Sequence, residues 1–296
     1  GEVSVFSGET KSCKSWFALD LGLSVACGSP WMERQCHRGR VILVNLELPE
    51  WAIKKRLLEI AAKRGLNPTP DSILVWNLKG RTVYAHRIRE HIQNANLSDV
   101  ALVIVDPVYR LLGDADENSA RDINALLGQI AGVAVDTGAH VILPAHFAKG
   151  SPAAKDPQDR ASGSGVFARF PDSLLVMTKH ENHEEGNGVY TVQSVLRTFP
   201  PAPSFVVRWR HPVFEVDSAL DPSRLKQRKP GMQEQYSREL LLALLDGGPL
   251  TNKEWGMAAD EAMRMPRKTF FDYVRRLEQS GAVGRTGDGK YCLPTR

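Results

Sequence analysis

The 296-residue sequence predicts an α/β fold with a mostly parallel sheet, an antiparallel extension of that sheet and a small C-terminal domain. Three observations lead to this prediction. Short apolar segments alternate with segments of helical periodicity over the first half of the chain. Three further apolar segments then follow one another without a helix between them, which indicates hairpins. The composition changes abruptly near residue 221, where a domain boundary is expected.

The alternating segments define five strands and four helices. The strands are EVSVFSG, GRVILVNLE (residues 39–47), SILVWNL, VALVIVD (residues 100–106) and AHVILPAH, and the helices between them are SWFALDLGLSVACG, EWAIKKRLLEIAAKRG, HRIREHIQNA and NALLGQIAGVAVDTG. The second helix should stop at Gly65. This alternation predicts a doubly wound parallel sheet. DSLLVMTKH, GVYTVQSVL and PSFVVRW should extend that sheet in antiparallel fashion.

The second domain is predicted from a linker and three helical patterns. DPSRLKQRKPG contains two prolines and a glycine, so residues 1–220 form the first domain, 221–232 the linker and 233–296 the second domain. QEQYSRELLLALL, TNKEWGMAADEA and PRKTFFDYVRRLEQSG have helical periodicity, and two short strands flank a Gly-Asp-Gly turn after them. Three helices and a hairpin predict a winged helix.

The third of these helices is the expected recognition helix. We expect an inner face of Phe270, Phe271, Val274 and Leu277, and an exposed face that bears Arg267, Lys268, Arg275 and Arg276. Residues 222–296 carry 14 Lys and Arg against 9 Asp and Glu, although the whole chain has a net charge of only +4. This local excess fits DNA binding but also an ordinary solvated surface or a protein-docking module.

Composition excludes a membrane protein. The chain is 42% hydrophobic and 24% charged, and it has no apolar run of the roughly 18 residues that a membrane span requires. No signal-peptide pattern opens the sequence, and its four cysteines lack the paired spacing of a disulfide framework or a zinc site. We therefore expect a cytoplasmic protein. Because Gly1 stands close before the first motif, an upstream segment is expected as well.

The stretch SGETKSCKSW, residues 7–16, matches the phosphate-binding pattern G-x-x-x-x-G-K-[ST] except that Cys13 replaces the second glycine. In such a loop, backbone amides hold the phosphates, the lysine contacts the β- and γ-phosphates and the hydroxyl ligates magnesium. Lys14 and Ser15 supply both side chains. Cys13 leaves two readings open, a loop that accepts a Cβ atom or one that has lost its nucleotide.

Two carboxylates follow predicted strands. Asp106 ends the most apolar strand, where a magnesium-binding aspartate is expected, although an aspartate before proline also commonly opens a turn. Glu47 ends the strand VILVNLE, and the carboxyl ends of parallel strands line the ligand crevice. It could orient the attacking water, or it could be a solvated carboxylate.

Together these motifs resemble the RecA-like P-loop ATPases encoded by plasmids, phages and integrated elements, which include hexameric replicative helicases of the RepA type. The resemblance covers most of residues 1–210 and rests on GETKSCKSWFALDLGLSVACG, VILVNLELPEWAIKKRL and LVIVDPVYRLLGDADENSARD. It implies ATP as substrate, Mg²⁺ bound by Ser15 and Asp106, and Glu47 as the catalytic carboxylate. It further implies that ATP is bound by Gly8, Glu9, Thr10, Lys11, Ser12, Cys13, Lys14, Ser15 and Trp16.

The same resemblance implies further site residues. HVILPAHFAKG is similar to the family's sensor strand, which often ends in two histidines; here His146 is present and Ala145 takes the other place. SGSGVFARFPDSLLVM resembles the segment that offers an arginine finger to a neighbouring subunit, at Arg169, and VLRTFPP offers Arg197 as a second candidate. If the family resemblance is set aside, His146 can be interpreted as a histidine at a strand end, and Arg169 and Arg197 as surface charges.

Two other loops are polar. AKGSPAAKDPQDRASGSG offers Lys149, Lys155 and Arg160 to single-stranded DNA in the channel of a ring, or is simply a surface loop. HENHEEGNG, with His180 and His183, is interpreted as a solvated hairpin loop rather than a metal pair.

The function expected from these patterns is a ring-forming, hexameric, DNA-stimulated ATPase or helicase of a mobile element, acting in replication or recombination. A replication protein could dock on the winged helix. The alternative is a nucleotide-switched winged-helix DNA regulator with weak or no ATPase activity.

Overall fold

The computed structural model describes residues 1–9, 12–95, 97, 99–113, 119–146, 166–184, 186–226, 238–279 and 282–293. Some of these residues are described by their backbone only, namely His146, Ala168, Arg238, Glu239, Arg276 and Gln279. The chain forms two compact units, Gly1–Gln227 and Arg228–Arg296. The predicted linker, residues 221–232, lies partly outside the described residues and stays a prediction.

The first unit is built on one nine-stranded sheet. Its strands are β1 (Val3–Gly8), β2 (Arg40–Asn45), β3 (Ile73–Asn77), β4 (Val100–Asp106), β5 (His140–His146), β6 (Ser173–Lys179), β7 (Val189–Leu196), β8 (Phe205–Arg210) and β9 (Val213–Val216). They lie in the order β3-β2-β4-β5-β1-β6-β7-β8-β9. Strands β1 to β6 pair in parallel, and β6 to β9 pair in antiparallel fashion. The predicted fold class of this unit is confirmed.

Helices cover both faces of the parallel part. They are α1 (Lys14–Cys27), α2 (Glu50–Arg64), α3 (Ala85–Asn94), α4 (Ala120–Thr137) and the short α5 (Val166–Arg169), with a 3₁₀ helix at Val108–Leu112. One apolar core lies between the sheet and helices α1 and α2, and the other lies between the sheet and helices α3 and α4. Strands buried on both faces read as continuous apolar runs, which explains VILVN in β2 and LVIV in β4.

Some element boundaries differ from the sequence-based expectation. Strand β2 ends at Asn45 rather than Glu47, because the Asn45 side chain binds the turn that follows. Its Oδ1 accepts from the Leu48 amide at 3.0 Å, and its Nδ2 donates to the Leu48 carbonyl at 2.6 Å. Helix α4 begins four residues earlier than predicted, where the Ser119 hydroxyl accepts from the Asp122 amide and caps the helix. The four-residue strand β9 and the 3₁₀ helix were not predicted.

A buried ion pair fixes α2 against α1. Asp20, whose side chain is 1% exposed, accepts a hydrogen bond from Arg64 Nη1 at 2.5 Å. Arg64 also donates to the Ser24 hydroxyl at 3.2 Å. Burial raises the pKa of Asp20, and the neighbouring guanidinium opposes that rise. Because α1 and α2 both contribute residues to the candidate site, this contact helps to set its geometry.

The second unit contains helices α6 (Arg238–Ala243), α7 (Asn252–Met263) and α8 (Arg267–Gln279) and the hairpin strands β10 (Gly284–Arg285) and β11 (Tyr291–Cys292). Its core centres on Trp255, whose ring contacts Phe270 and Tyr291 and whose Nε1 donates to the Leu241 carbonyl at 2.9 Å. Assignment of this unit as a winged helix stays a prediction. In the described part of the chain, no helix combines the length and apolar character needed to cross a membrane.

Candidate functional site

The candidate site begins at the turn between β1 and α1. Strand β1 ends at Gly8 and helix α1 begins at Lys14. A Cβ atom at Gly8 would stand 3.1 Å from the Ser12 hydroxyl and 3.2 Å from the Met177 carbonyl oxygen, both closer than ordinary van der Waals contact. The first glycine of the motif is therefore required by packing, as expected of a phosphate-binding loop.

Cys13 adopts the conformation that usually demands glycine. Its φ of 59° and ψ of 26° lie in the left-handed region, which costs a non-glycine residue about 1–2 kcal/mol. The side chain packs partly buried against the apolar core under α1, and burial raises the pKa of the thiol. The thiol therefore stays protonated at neutral pH. The loop accepts a Cβ atom here and keeps the backbone shape that the glycine would give.

Lys14 lies inside the turn. Its Nζ donates hydrogen bonds to the carbonyl oxygens of Gly8 at 2.9 Å and Glu9 at 2.6 Å. The Ser12 hydroxyl lies 3.4 Å from the same nitrogen. Burial lowers the pKa of Lys14 to about 8, while the charge of Asp106 works in the opposite direction. The ammonium group remains charged at pH 7 and is only partly solvated, so it is suited to bind an anion.

Glu9 holds the loop from two sides. Its carboxylate Oε2 lies 2.8 Å from Lys179 Nζ, at the end of β6. Its carbonyl oxygen also accepts from the Ser12 amide at 3.3 Å and from the Ser12 hydroxyl at 2.7 Å. The start of the loop is thereby tied to the neighbouring strand.

Ser15 and Asp106 face each other across the turn. The Ser15 hydroxyl donates a hydrogen bond to the Asp106 carboxylate. Burial raises the pKa of Asp106; the hydrogen bond from Ser15 lowers it, and the negative charge of Glu47 raises it further. A hydroxyl and a carboxylate oxygen placed together are ligands that Mg²⁺ accepts, so these residues fit the expected metal.

Glu47 lines the same cleft, two residues beyond the end of β2. Its side chain is exposed, and its charge acts on Asp106. The cleft has a volume of about 380 Å³ and is lined by Ser12, Cys13, Lys14, Ser15, Trp16, Glu47, Arg56, Asp106, Pro107 and Pro144. Four residues singled out from the sequence, Lys14, Ser15, Glu47 and Asp106, therefore meet in one cleft.

Arg56 was missed by the sequence analysis. It comes from α2, and its guanidinium lies 4.8 Å from the centre of the Trp16 ring. Burial lowers its pKa, and the negative charges of Asp106 and Glu47 oppose that shift. The signal was present in the sequence, because Arg56 follows the buried Ile53 by three residues and so places a cation on the inner face of α2.

Aromatic side chains flank the cleft beside Trp16. The Trp16 ring centre lies 5.8 Å from that of Trp209 and 5.2 Å from that of His211. Trp209 and His211 stand at the turn between β8 and β9, which the sequence analysis did not recognise as a hairpin. The cleft therefore has a charged side and an aromatic side.

The comparison with known families decides the identity. The family described as "AAA domain" matches residues 1–152, slightly more than half of the 296-residue chain. The chain belongs to the AAA domain family. With the sheet order and the cleft described above, this AAA-family protein is a RecA-like P-loop ATPase, as the sequence resemblance implied. Its affiliation with mobile elements and RepA-type helicases stays a prediction.

Among solved structures, the AAA-family protein is similar to the crystal structure of a KaiC-like protein from the hyperthermophilic archaeon Pyrococcus horikoshii OT3. The two share 13% sequence identity with a TM-score of 0.47, over 73% of this chain and 89% of that chain.

The candidate arginine fingers of the AAA-family protein lie away from its own cleft. Ser173, at the start of β6, pairs with Ser4, whereas Gly8 at the cleft pairs with Met177. Four residues of strand separate the two ends, which is about 13 Å at 3.3 Å per residue. Arg169 precedes β6, so it belongs to the end of the sheet opposite the cleft.

Arg169 and Arg197 have different surroundings. Arg169 is exposed, and its side chain makes no hydrogen bond or ion pair with the described residues. Arg197 Nη2 donates to the carbonyl oxygens of Arg169 and Phe170, each at 2.6 Å, and Nη1 lies 3.7 Å from Asp172. Arg197 therefore holds the segment that presents Arg169.

Several predicted site residues of the AAA-family protein lie outside the described residues: Thr10, Lys11, Lys149, Lys155 and Arg160. The backbone of His146 ends β5 and pairs with Gly8, so this position lies beside the loop, while its side chain is outside the description.

Interpretation of the HENHEEGNG segment as a solvated loop was wrong for His180. That side chain is 1% exposed; its Nδ1 accepts from the Asn182 amide at 3.1 Å, and its Nε2 lies 3.0 Å from the Asp221 carbonyl oxygen. His183 Nδ1 lies 3.1 Å from the Val189 carbonyl oxygen, and its ring contacts Tyr190. Both histidines are fixed by the backbone of their own unit.

In the C-terminal unit, Arg267, Lys268 and Arg275 are exposed on α8 as predicted. Phe271 was expected inside but is 40% exposed, because only Phe270, Val274 and Leu277 follow the spacing of the buried face. Contact of these cations with DNA stays a prediction.

Proposed function

We propose that this P-loop ATPase hydrolyses magnesium ATP in a ring of identical subunits and is stimulated by DNA, as a replicative or accessory helicase of a mobile element. One observation carries the proposal: Lys14, Ser15, Glu47 and Asp106 converge on one cleft at the carboxyl ends of β1, β2 and β4. Membership of the AAA domain family supports the nucleotide-hydrolysing part. The helicase part rests on the sequence resemblance.

Nucleotide binding uses two cations of this chain. The Lys14 ammonium donates to neutral carbonyl oxygens, and a phosphate oxygen would be a stronger, charge-assisted partner. Arg56 adds a second positive charge in the cleft. Amides of the loop and of the first turn of α1 favour negative charge at the same place.

Magnesium would be held by the Ser15 hydroxyl and the Asp106 carboxylate. The ion, when bound, neutralises phosphate charge during phosphoryl transfer. The pKa of Asp106 is raised when only protein groups surround it, and binding a cation requires its ionised form. Ser15 assists by donating a hydrogen bond to that carboxylate.

Glu47 is proposed to accept the proton of the attacking water. It is an exposed carboxylate that lines the cleft, so water reaches it. Its nearest proposed partners in the reaction, Lys14 and Asp106, occupy the same cleft. Positioned proton transfer of this kind contributes roughly 10²–10⁴ in rate.

Ring formation would bring Arg169 to the cleft of a neighbouring chain. Arg169 precedes the end of β6 that lies about 13 Å along the sheet from the cleft end, so an action on ATP requires a second copy. Head-to-tail contacts of this type close cyclic oligomers. The cleft already has a second cation of its own in Arg56, and Arg169 is proposed in addition to it.

The experiment measures ATP turnover of the full chain with and without single-stranded DNA, at several protein concentrations. Turnover per chain should rise with concentration and with DNA. Mixing Arg169→Ala with Lys14→Ala should restore part of the activity, since each variant spoils a different side of a shared site. The matched control is Arg121→Ala, at an exposed position on α4. Concentration-independent turnover by a monomer would instead favour the nucleotide-switched regulator.

A further inference from the structure

A groove runs between α7 and α8 in the C-terminal unit. Its volume is about 480 Å³, within the range of pockets that take small molecules or anchor side chains. It is lined by Asn252, Lys253, Gly256, Met257, Asp260, Met265, Arg267, Phe270 and Phe271.

The middle of the groove is apolar. Met257 is 64% exposed and Phe271 is 40% exposed, although both are large apolar side chains. Gly256 lines the same groove without a side chain, and a Cβ atom there would stand 3.3 Å from Phe270 Cε1. The absent side chain leaves the groove open above the Phe270 ring. Adjacent exposed apolar residues of this kind commonly mark interaction sites.

Charge at the groove is mostly positive. Lys253 and Arg267 contribute two cations, and Asp260 contributes one carboxylate. The Arg267 guanidinium lies 5.7 Å from the centre of the Phe271 ring, so this cation borders the apolar patch. Lys268 is exposed next to it. A complementary partner therefore has an apolar side chain with carboxylates beside it.

We propose that this groove docks a short helical peptide segment of a partner protein, through one apolar side chain flanked by acidic residues. An apolar centre with a charged rim is the arrangement of protein interfaces, and helices commonly bind by placing an apolar face in such a groove. Duplex DNA, in contrast, is held mainly through its phosphates, to which Met257 and Phe271 offer no hydrogen bond.

In the test, displayed helical peptides are selected for binding to the full chain. The affinity of a labelled, selected peptide for the full chain is then measured by fluorescence anisotropy. Selected peptides should share Leu, Ile or Phe next to Asp or Glu, and their binding should weaken as salt rises. Met257→Glu should weaken binding at least tenfold, because it adds a like charge and removes apolar contact. Val135→Glu, on an exposed apolar residue outside the groove, should change nothing.

A second variant tests the same groove without adding charge, namely Phe271→Ser. Near-ultraviolet circular dichroism that matches the wild-type spectrum would show that aromatic packing, including the contact of Trp255 with Phe270, is kept. A folded Met257→Glu variant that binds the peptide as tightly as the wild type would overturn the proposal. A selection that enriches no peptide would also overturn the proposal. The same holds if the protein binds a 20-base-pair DNA duplex and Met257→Glu and Phe271→Ser abolish that binding instead of peptide binding.

Discussion

The guanidinium of Arg56 lies 4.8 Å from the centre of the Trp16 ring, although the two residues come from different helices. Trp16 directly follows the serine of the phosphate-binding motif, and Arg56 lies on α2, which the buried Asp20–Arg64 pair fixes against α1. The contact places a cation at the mouth of the cleft, within electrostatic reach of Asp106 and Glu47.

Arg56→Gln should weaken nucleotide binding. The substitution removes a partly buried cation from the cleft, and a hydrogen bond to a charged group contributes about 1.5–3 kcal/mol, which corresponds to a roughly ten- to hundredfold rise in Kd. Calorimetry with ATP and Mg²⁺ gives the value. Lys55→Gln, at an exposed neighbouring position on α2, is the control. Equal affinity of Arg56→Gln and Lys55→Gln would remove Arg56 from the binding site.

Cys13→Gly should keep nucleotide binding and stabilise the fold. Glycine relieves the left-handed strain of about 1–2 kcal/mol but loses about 0.5–1 kcal/mol to its greater freedom in the unfolded chain. The free energy of unfolding should therefore rise by up to about 1.5 kcal/mol in urea denaturation. Cys13→Ala retains the strain and should leave stability near that of the wild type. Loss of ATP binding in both folded variants would show that the thiol itself has a role.

His140 should make the fold sensitive to acid. Its Nε2 is hydrogen-bonded to the Ser4 hydroxyl at 2.7 Å, and burial lowers its pKa below 6.5 while the charges of Glu2 and Asp172 oppose the shift. The unfolded chain therefore binds a proton at higher pH than the folded chain does. The free energy of unfolding should fall as the pH drops from 6.5 towards the pKa of His140 in the folded protein. Below that pKa, His140 is protonated in both states and the loss levels off.

The comparison of His140→Gln with the exposed control His37→Gln isolates this effect. Urea denaturation at pH 5, 6, 7 and 8 should show a shallower loss of stability at low pH for His140→Gln than for the wild type. The His37→Gln variant should follow the wild type. If the slopes of His140→Gln and wild type coincide, the titration of His140 does not contribute to acid sensitivity.

Much of the parallel sheet was predictable because its strands are buried on both faces and therefore read as continuous apolar runs. VILVN and LVIV leave little ambiguity. Strand β9 was missed because four residues after a tight turn carry too little periodicity to separate a strand from a loop. The end of β2 was misplaced because the Asn45 side chain, rather than the apolar pattern, stops the strand.

The residues of the candidate site likewise include some that the sequence predicts and some that it does not. Lys14, Ser15, Glu47 and Asp106 belong to local patterns at strand ends, which the sequence displays directly. Arg56 lines the cleft through helix packing, and Trp209 contacts the lining residue Trp16 through a hairpin; both are long-range relationships. Phe271 was assigned to the core from its apolar character alone, whereas helix geometry turns it away from the buried face.

The most direct test of the central claim is ATP turnover of Glu47→Gln, measured beside its ATP affinity. Glu50→Gln, at the exposed first turn of α2, is the matched control. The account predicts that Glu47→Gln binds magnesium ATP with near wild-type affinity and hydrolyses it roughly 10²–10⁴ times more slowly, because the proton acceptor is lost while the phosphate-binding cations remain. Unchanged turnover in Glu47→Gln, with or without loss of turnover in Glu50→Gln, would contradict the assignment of the catalytic carboxylate.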